Sequence, residues 1–351
     1  METTTLYRII DANFNRAREA LRVMEEYARF GLDNASLSAR AKQLRHRLCD
    51  TIGRFDALTL LSSRDTAGDV GRELKVEGQL KRQSLQDCFT AAAKRASEAL
   101  RALAEACQPI DSEASAVMEQ LRFGVYALEK ETALSGHIRA KFEPVRLYVL
   151  INAGPDTDTP GLLSLVRQCI AGGADALQLR AKNLDDKPLL ALAHQFVRVC
   201  RDSGALSIIN DRADIAILAQ ADGVHLGQNE IPVSDARTLA RRPLIIGGST
   251  HNLDELREAI TAGYDYVGVG PAFASQTKPD VQVAGPKYLK DAAETLSESG
   301  ILPVAIGGID EHNITQVITA GIRCVAVSSC ICRCPNPQAY CKTLKDRLLT
   351  A

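Results

Sequence analysis

Two hydrophobic rhythms run along the chain, and one gives way to the other near residue 142. Between Asn13 and Phe30 apolar or small residues fall at Ala17, Ala20, Leu21, Met24, Tyr27 and Ala28. That is the three-and-four spacing of an amphipathic helix. Residues 92–107 repeat it at Ala96, Ala99, Leu100, Leu103, Ala106 and Cys107, 79 positions on in every case. Charges recur at the same offset: Arg16/Arg95, Glu19/Glu98, Arg22/Arg101 and Glu26/Glu105. The following stretches echo each other through Gln43-Leu44-Arg45 and Gln120-Leu121-Arg122. This predicts two copies of a helix pair, an all-α domain and linker over residues 1–142 with an approximate internal two-fold. Core packing explains repeated Ala and Leu but does not require repeated Arg and Glu. Those are either surface stripes braced by ion pairs along each helix, or stripes meeting across the two-fold, paired with each other or with an anionic ligand. Between the copies, Ser62-Ser63-Arg64-Asp65-Thr66-Ala67-Gly68-Asp69-Val70-Gly71 reads as a loop, with ligand binding as its sharper reading.

After the polar passage from Ser135 to Pro144, β-branched apolar segments alternate with amphipathic ones. The segments are Arg146–Asn152, Asp175–Arg180, Leu206–Asp211, Gly223–Gly227, Leu244–Thr250, Tyr266–Pro271, Pro303–Gly308 and Cys324–Ser329. Eight βα units over residues 143–351 predict an α/β domain, a (β/α)8 TIM barrel. An open doubly wound sheet is the alternative, but no glycine-rich dinucleotide fingerprint follows the first strand.

In a barrel the chemistry sits at the carboxyl ends of the strands. Gln178, Arg180 and Lys182 stand two apart, so on a strand they project together. An amide beside two cations suits a phosphate or pyrophosphate. The other ends read Asn210-Asp211, Gly227-Gln228-Asn229-Glu230, Ser249-Thr250-His251, Ser275-Gln276-Thr277-Lys278, Gly307-Gly308 and Ser328-Ser329. Two anion sites separate. Gly307-Gly308 and Ser328-Ser329 close strands seven and eight, where backbone N–H groups can cradle a phosphate. On the opposite arc Arg180, Lys182 and Lys278 stand beside Asp211 and Glu230. Carboxylates repel a polyphosphate unless a cation intervenes, and Mg²⁺ held by those two residues resolves the conflict. His225 reads as a packed barrel residue, and His251 as a positioning or proton-transfer group.

Composition narrows the partners. A net charge of −1 argues against a general polyanion binder, and 5% aromatics without Trp disfavour base-stacking platforms for nucleic acid. No apolar run is long enough to span a membrane, and Met1 to Thr5 lack a signal-peptide core, so a cytoplasmic protein is expected. Ten Cys in 351 residues are not a secreted disulfide scaffold. Cys330, Cys332, Cys334 and Cys341 cluster without paired C-x-x-C spacing. Pro335 and Pro337 favour an irregular turn with reduced thiols over a soft-metal site.

The back half resembles the thiamin phosphate synthase family from about residue 145 to 345. The matching runs, in order, are QLRAK, IIND, ADGVHLGQ, GGSTH, GPAFASQTK, AIGGI and VAVSS. The resemblance implies that hydroxymethylpyrimidine diphosphate and a thiazole phosphate are joined with release of pyrophosphate. It places Gln178, Arg180, Lys182, Asn210, Ser249 and Lys278 on the diphosphate substrate and Mg²⁺ on Asp211 and Glu230. Ser275 and Thr277 face the thiazole phosphate, whose phosphoryl group rests on amides at Gly308, Ser328 and Ser329. Arg180, Lys182 and Lys278 are the groups implied in catalysis. Asn229-Glu230 stands where Glu-Asp is common, Ser275 replaces a frequent Thr, Ala181 is often acidic, and Cys324 replaces a common Gly. A thiazole tautomerase-like barrel and a non-catalytic thiamin-pathway regulatory module are the alternatives. Residues 6–135, through NFNRAREALRVMEEYARF and SSRDTAGDVG, resemble the ThiD2-type domain fused ahead of some of these synthases. That family has been proposed to phosphorylate hydroxymethylpyrimidine phosphate, although no glycine-rich phosphate loop is present here. Oligomeric state is left open by the sequence.

Overall fold

The structure, a computed structural model, describes residues 2–71, 81–274, 283–297 and 299–350. The chain divides into two units, Met1–Gly136 and His137–Ala351. In the first, α1 (Glu2–Glu26), α2 (Ala35–Ile52), α3 (Ala57–Ser62), α4 (Leu85–Cys107) and α5 (Ser112–Phe142) follow in order, and the division falls within α5. Asn34, Asp56 and Ser84 cap α2, α3 and α4 by accepting the backbone N–H three residues on. Where the periodicity predicts one helix from Asn13 to Phe30, α1 starts at Glu2 and gives way at Tyr27–Gly31 to a π-helical turn. Tyr27 in that turn stacks on Phe89, ring centroids 4.9 Å apart.

The repeated small residues are the packing face. Ala17, Ala20, Leu21 and Met24 of α1 share one buried core with Ala96, Ala99, Leu100 and Leu103 of α4. The repeated charges point away from it: Arg16, Glu19, Arg22, Glu26, Arg95, Glu98, Arg101 and Glu105 are all exposed. The stripes therefore do not meet across the two-fold. Arg22–Glu26 at 2.9 Å and Arg101–Glu105 at 2.6 Å pair along their own helices. Each copy also holds a carboxylate between two guanidiniums. Glu25 lies between Arg22 and Arg45, and Glu119 between Arg101 and Arg122. In the intervening loop Arg64 grips Asp11 of α1 through two hydrogen bonds of 2.8 and 2.7 Å.

The second unit is a closed barrel of eight parallel strands in chain order. They are β1 (Leu147–Asn152), β2 (Ala176–Arg180), β3 (Leu206–Asn210), β4 (Gly223–Leu226), β5 (Ile245–Thr250), β6 (Tyr266–Val269), β7 (Leu302–Ile306) and β8 (Cys324–Val327). Around them run α6 (Thr159–Ala171), α7 (Asp186–Asp202), α8 (Ala213–Leu218), α9 (Val233–Ala240), α10 (Leu253–Ala262), α11 (Gly285–Leu296), α12 (Ile314–Thr319), α13 (Ser329–Cys332) and α14 (Pro337–Leu349). β1, β2 and β5 end where predicted, at Asn152, Arg180 and Thr250, whereas β3, β4, β6, β7 and β8 fall short: Asp211, Gly227, Gly308 and Ser329 lie beyond the last strand residue, in the connections that form the mouth. No helix among the described residues is long and apolar enough to cross a membrane.

Side-chain size explains the double glycine of β5. Neighbouring residues on a strand face opposite sides. A Cβ on Gly247 would clash with the Tyr266 ring at Cζ, and one on Gly248 would lie 2.6 Å from the ring of Tyr264. The Tyr266 ring fills the barrel interior, with Tyr148, Ala176, Ile208, Ile245 and Val304 in the same buried cluster. Ile138 and Phe142 belong to it too, and Phe142 stacks on Tyr266 with centroids 4.3 Å apart and planes 9° from parallel. The last turn of α5 is thus part of the barrel's interior packing.

Candidate active site

The chemistry-bearing strand ends converge on one rim because all eight strands are parallel and closed. Gln178 and Arg180 occupy alternate positions of β2 and share an orientation, whereas Lys182 falls in the turn beyond it. Gln178 is only 2% exposed and donates through Nε2 to the Tyr148 hydroxyl at 2.8 Å. Arg180 donates to Asn152 Oδ1 at 3.3 Å, and Lys182 pairs with Asp211 at 3.0 Å. Asn210, the last residue of β3, precedes Asp211 on the same rim.

Asp211 has φ of +63°, a left-handed conformation that Asp tolerates better than most residues. Two contacts hold it there. Its N–H donates to His225 O at 2.7 Å, and the next residue, Arg212, ties two connections together. Arg212 grips Asp214 at 2.9 and 2.6 Å and Asp186 at 2.5 Å. Asp214 and then Asp186 raise the Arg212 pKa, and Arg212 in turn lowers that of Asp214. Glu230 follows β4 and is exposed. A Cβ on Gly227 would stand 3.6 Å from both Asp211 Oδ1 and Glu230 Cγ, so the two carboxylate side chains flank one small residue. That oxygen-only pair at an open rim fits a hard cation such as Mg²⁺. Among the described residues no group of three or more His, Cys, Asp or Glu converges as a metal site.

Across the mouth, Gly307 and Gly308 have φ of +100° and +63°. A Cβ on Gly308 would stand 2.8 Å from Phe273 O, so the turn requires glycine. Asn313 fixes it by donating to Gly308 O at 2.8 Å. Ser328 follows β8, and its hydroxyl donates to Leu150 O at 3.0 Å. Ser329 begins α13, so no strand carries the cysteines beyond it. All ten cysteines are free, and Cys330 and Cys332 contact the backbone oxygens of Ile309 and Leu150. Ser275, Thr277 and Lys278 lie outside the described residues.

Ser249 of β5 lies 2.9 Å from Nε2 of His225, whose Nδ1 is 3.1 Å from the Tyr266 hydroxyl. Tyr266 and Tyr148 touch through their hydroxyls at 2.9 Å. Burial pushes both phenols upward in pKa, so both remain protonated hydrogen-bond donors. His225 is a packed barrel residue, as its place inside a strand suggests, and it also contacts a candidate substrate residue. His251 is tied to Glu255 through both its ring and its backbone N–H, each at 2.9 Å.

Four contributors were not singled out by sequence reasoning. Asn152 bridges the two arcs, accepting from Arg180 and donating to Ser328 Oγ at 3.2 Å. Its signal was a polar residue closing an apolar strand. Arg212 stood beside Asp211 without a pattern to mark it. Tyr148 and Tyr266 lay inside strands, where an aromatic residue reads as core.

Comparison with known proteins follows the same division of the chain. Residues 147–331 match the thiamine monophosphate synthase family, and residues 8–131 match the ThiD2 family. A thiamine-phosphate synthase of Thermosynechococcus vestitus is 41% identical over 350 residues, covering 99% of this chain and 96% of that protein. One from a Nostoc species is 39% identical over 344 residues, covering 98% and 94%. The solved thiamine phosphate pyrophosphorylase of Pyrococcus furiosus superposes with a TM-score of 0.53 at 30% identity. It covers 61% of this chain and 98% of its own.

Proposed function

The chain belongs to the thiamine monophosphate synthase family, and from that premise we propose how the barrel mouth carries out the coupling. Hydroxymethylpyrimidine diphosphate occupies the arc of β2 to β5, held by Gln178, Arg180, Lys182, Asn210, Ser249 and Lys278. The thiazole phosphate occupies the arc of β7 and β8, with its phosphoryl group on the backbone N–H groups of Gly308, Ser328 and Ser329 and with Ser275 and Thr277 facing it. Asp211 and Glu230 hold Mg²⁺, which when bound neutralises negative charge on the diphosphate. The observation that carries this reading is the separation of the charged arc from the glycine-and-serine arc, with Asn152 spanning the gap between Arg180 and Ser328.

The side chains have distinct tasks. Positive charge from Arg180, Lys182 and Lys278 stabilises the pyrophosphate as it leaves. The electron-rich aminopyrimidine tolerates positive charge on its methylene while the bond breaks. Holding the thiazole nitrogen against that carbon replaces a bimolecular encounter with a local one. The coupling requires no covalent enzyme nucleophile.

Arg180→Ala and Lys278→Ala remove charge that matters most at the transition state. Both lower turnover with both substrates saturating. Ser329→Pro removes a backbone N–H from the phosphate cradle and chiefly raises the apparent KM for the thiazole phosphate. Steady-state kinetics with each substrate varied in turn checks this. If Ser329→Pro weakened only the diphosphate substrate, or Lys278→Ala only the thiazole phosphate, the two substrates would be on the wrong arcs.

A further inference from the structure

Five polar side chains inside the barrel form a continuous line whose two ends are candidate substrate residues. Gln178 Nε2 reaches Tyr148 Oη at 2.8 Å, Tyr148 reaches Tyr266 at 2.9 Å, Tyr266 reaches His225 Nδ1 at 3.1 Å, and His225 Nε2 reaches Ser249 Oγ at 2.9 Å. We propose that Tyr148, Tyr266 and His225 are positioning residues that set the direction of the Ser249 hydroxyl at the mouth. This rests on the proposed seat of Ser249 against the diphosphate substrate.

Donor accounting sets the direction of the line. Tyr148 and Tyr266 are 1% and 0% exposed, so solvent supplies neither with a partner. With the Gln178 amide nitrogen donating to Tyr148, the Tyr148 hydrogen passes to Tyr266, and the Tyr266 hydrogen passes to His225 Nδ1. The imidazole then carries its proton on Nε2 and donates to Ser249 Oγ. Ser249 keeps its own hydrogen, which it can donate outward to a substrate. Reversing the line would leave the Tyr148 hydrogen facing an amide that is itself a donor, an orphaned polar group in a dry interior. The orientation of the amide at β2 and the donor character of the hydroxyl at β5 are therefore linked, although neither residue touches the other in this line. Packing supports the middle of it. The Tyr266 ring has Phe142 stacked on it and depends on the absence of a side chain at Gly247.

The test is a double-mutant cycle in the full-length protein. Tyr266→Phe keeps the ring and removes the hydroxyl. It should lower kcat/KM for the diphosphate substrate about tenfold, the loss of one well-placed hydrogen bond, with KM for the thiazole phosphate unchanged. In a Ser249→Ala background the same change should cost less than about twofold, because the residue through which Tyr266 acts is gone. Equal losses in both backgrounds would overturn the proposal. A loss on Ser249→Ala with none on Tyr266→Phe would overturn the line alone, and no loss on Ser249→Ala would overturn the seat of Ser249 together with it. Should Tyr266→Phe fail to fold, Tyr148→Phe breaks the line one link earlier. Independently, ¹⁵N-histidine NMR of the wild-type protein should show His225 protonated on Nε2, and an Nδ1-protonated ring would overturn the proposal.

Discussion

Asp175, Asp222 and Asp265 each stand one residue before an even-numbered strand, while Asp211 and Glu230 stand just beyond β3 and β4. The first three are each held by a backbone N–H and a cationic side chain. Asp175 accepts the N–H groups of Arg146 and Leu147 at 2.8 and 2.9 Å and pairs with Lys345. Asp222 accepts the N–H and hydroxyl of Ser207 at 3.1 and 2.9 Å and pairs with Lys141. Asp265 accepts the N–H of Ile246 at 2.7 Å and pairs with Arg237. Each therefore fastens the start of one strand to its neighbour. At the mouth, Asp211 is paired with a lysine that is half exposed, and Glu230 is exposed at the rim. Carboxylates thus lock the fold at one end of the barrel, and at the other they stand where the ligand is proposed. What separates the roles is the supply of fixed donors, not the carboxylate.

That contrast can be broken from the locked end first. Phe142→Ala removes a ring stacked inside the barrel and should cost about 3–5 kcal/mol, a melting temperature roughly 10 °C lower. For the same reason a fragment beginning at residue 137 should melt well above one beginning at residue 143. Circular dichroism melts check both, and equal melting points would remove Phe142 from the barrel's packing. Next in size, Asp175→Ala strands two backbone donors and should cost about 1–3 kcal/mol. Its kcat well below the melt should stay within about twofold of the parent, and a selective loss of kcat would merge the two ends.

The smallest effect is one of pH. Burial raises the Asp265 pKa above its ordinary 3.8 despite Arg237 and the Ile246 N–H, which pull it down. A carboxyl that binds its proton more tightly when folded gives stability that is full below pH 3.8 and is lost as pH rises through the raised value. Urea unfolding across that acidic window should show this slope in the parent and lack it in Asp265→Asn. An identical slope in both would place the titration elsewhere.

The barrel was legible because burial on both faces of parallel strands leaves apolar runs whose polar ends stand out, as at Gln178, Arg180 and Asn210. The helical repeat was legible for a similar reason: Ala17, Ala20, Ala96 and Ala99 must be small where α1 meets α4. The direction of the repeated charges was not, since Arg22–Glu26 and Arg101–Glu105 satisfy the same spacing on a surface or at an interface. The locking carboxylates went unread although a left-handed residue stands two positions before each, at Gly173, Gln220 and Gly263. The equivalent turn before β8, after Gly321, carries Arg323 instead of Asp and hides the pattern. Tyr148 and Tyr266 stayed hidden because their hydrogen bonds join strands that are distant in sequence.

The most direct test of the division between the two ends is a magnesium titration of steady-state turnover in Asp211→Asn, with the melting temperature measured alongside. Loss of one carboxylate's charge at the proposed ion should lower kcat by roughly 10²-fold. It should also shift half-saturation to higher magnesium, while the melt stays within a degree or two because Asn also tolerates the left-handed backbone. A magnesium dependence and turnover matching the parent, or a variant that loses activity only by unfolding, would contradict the account.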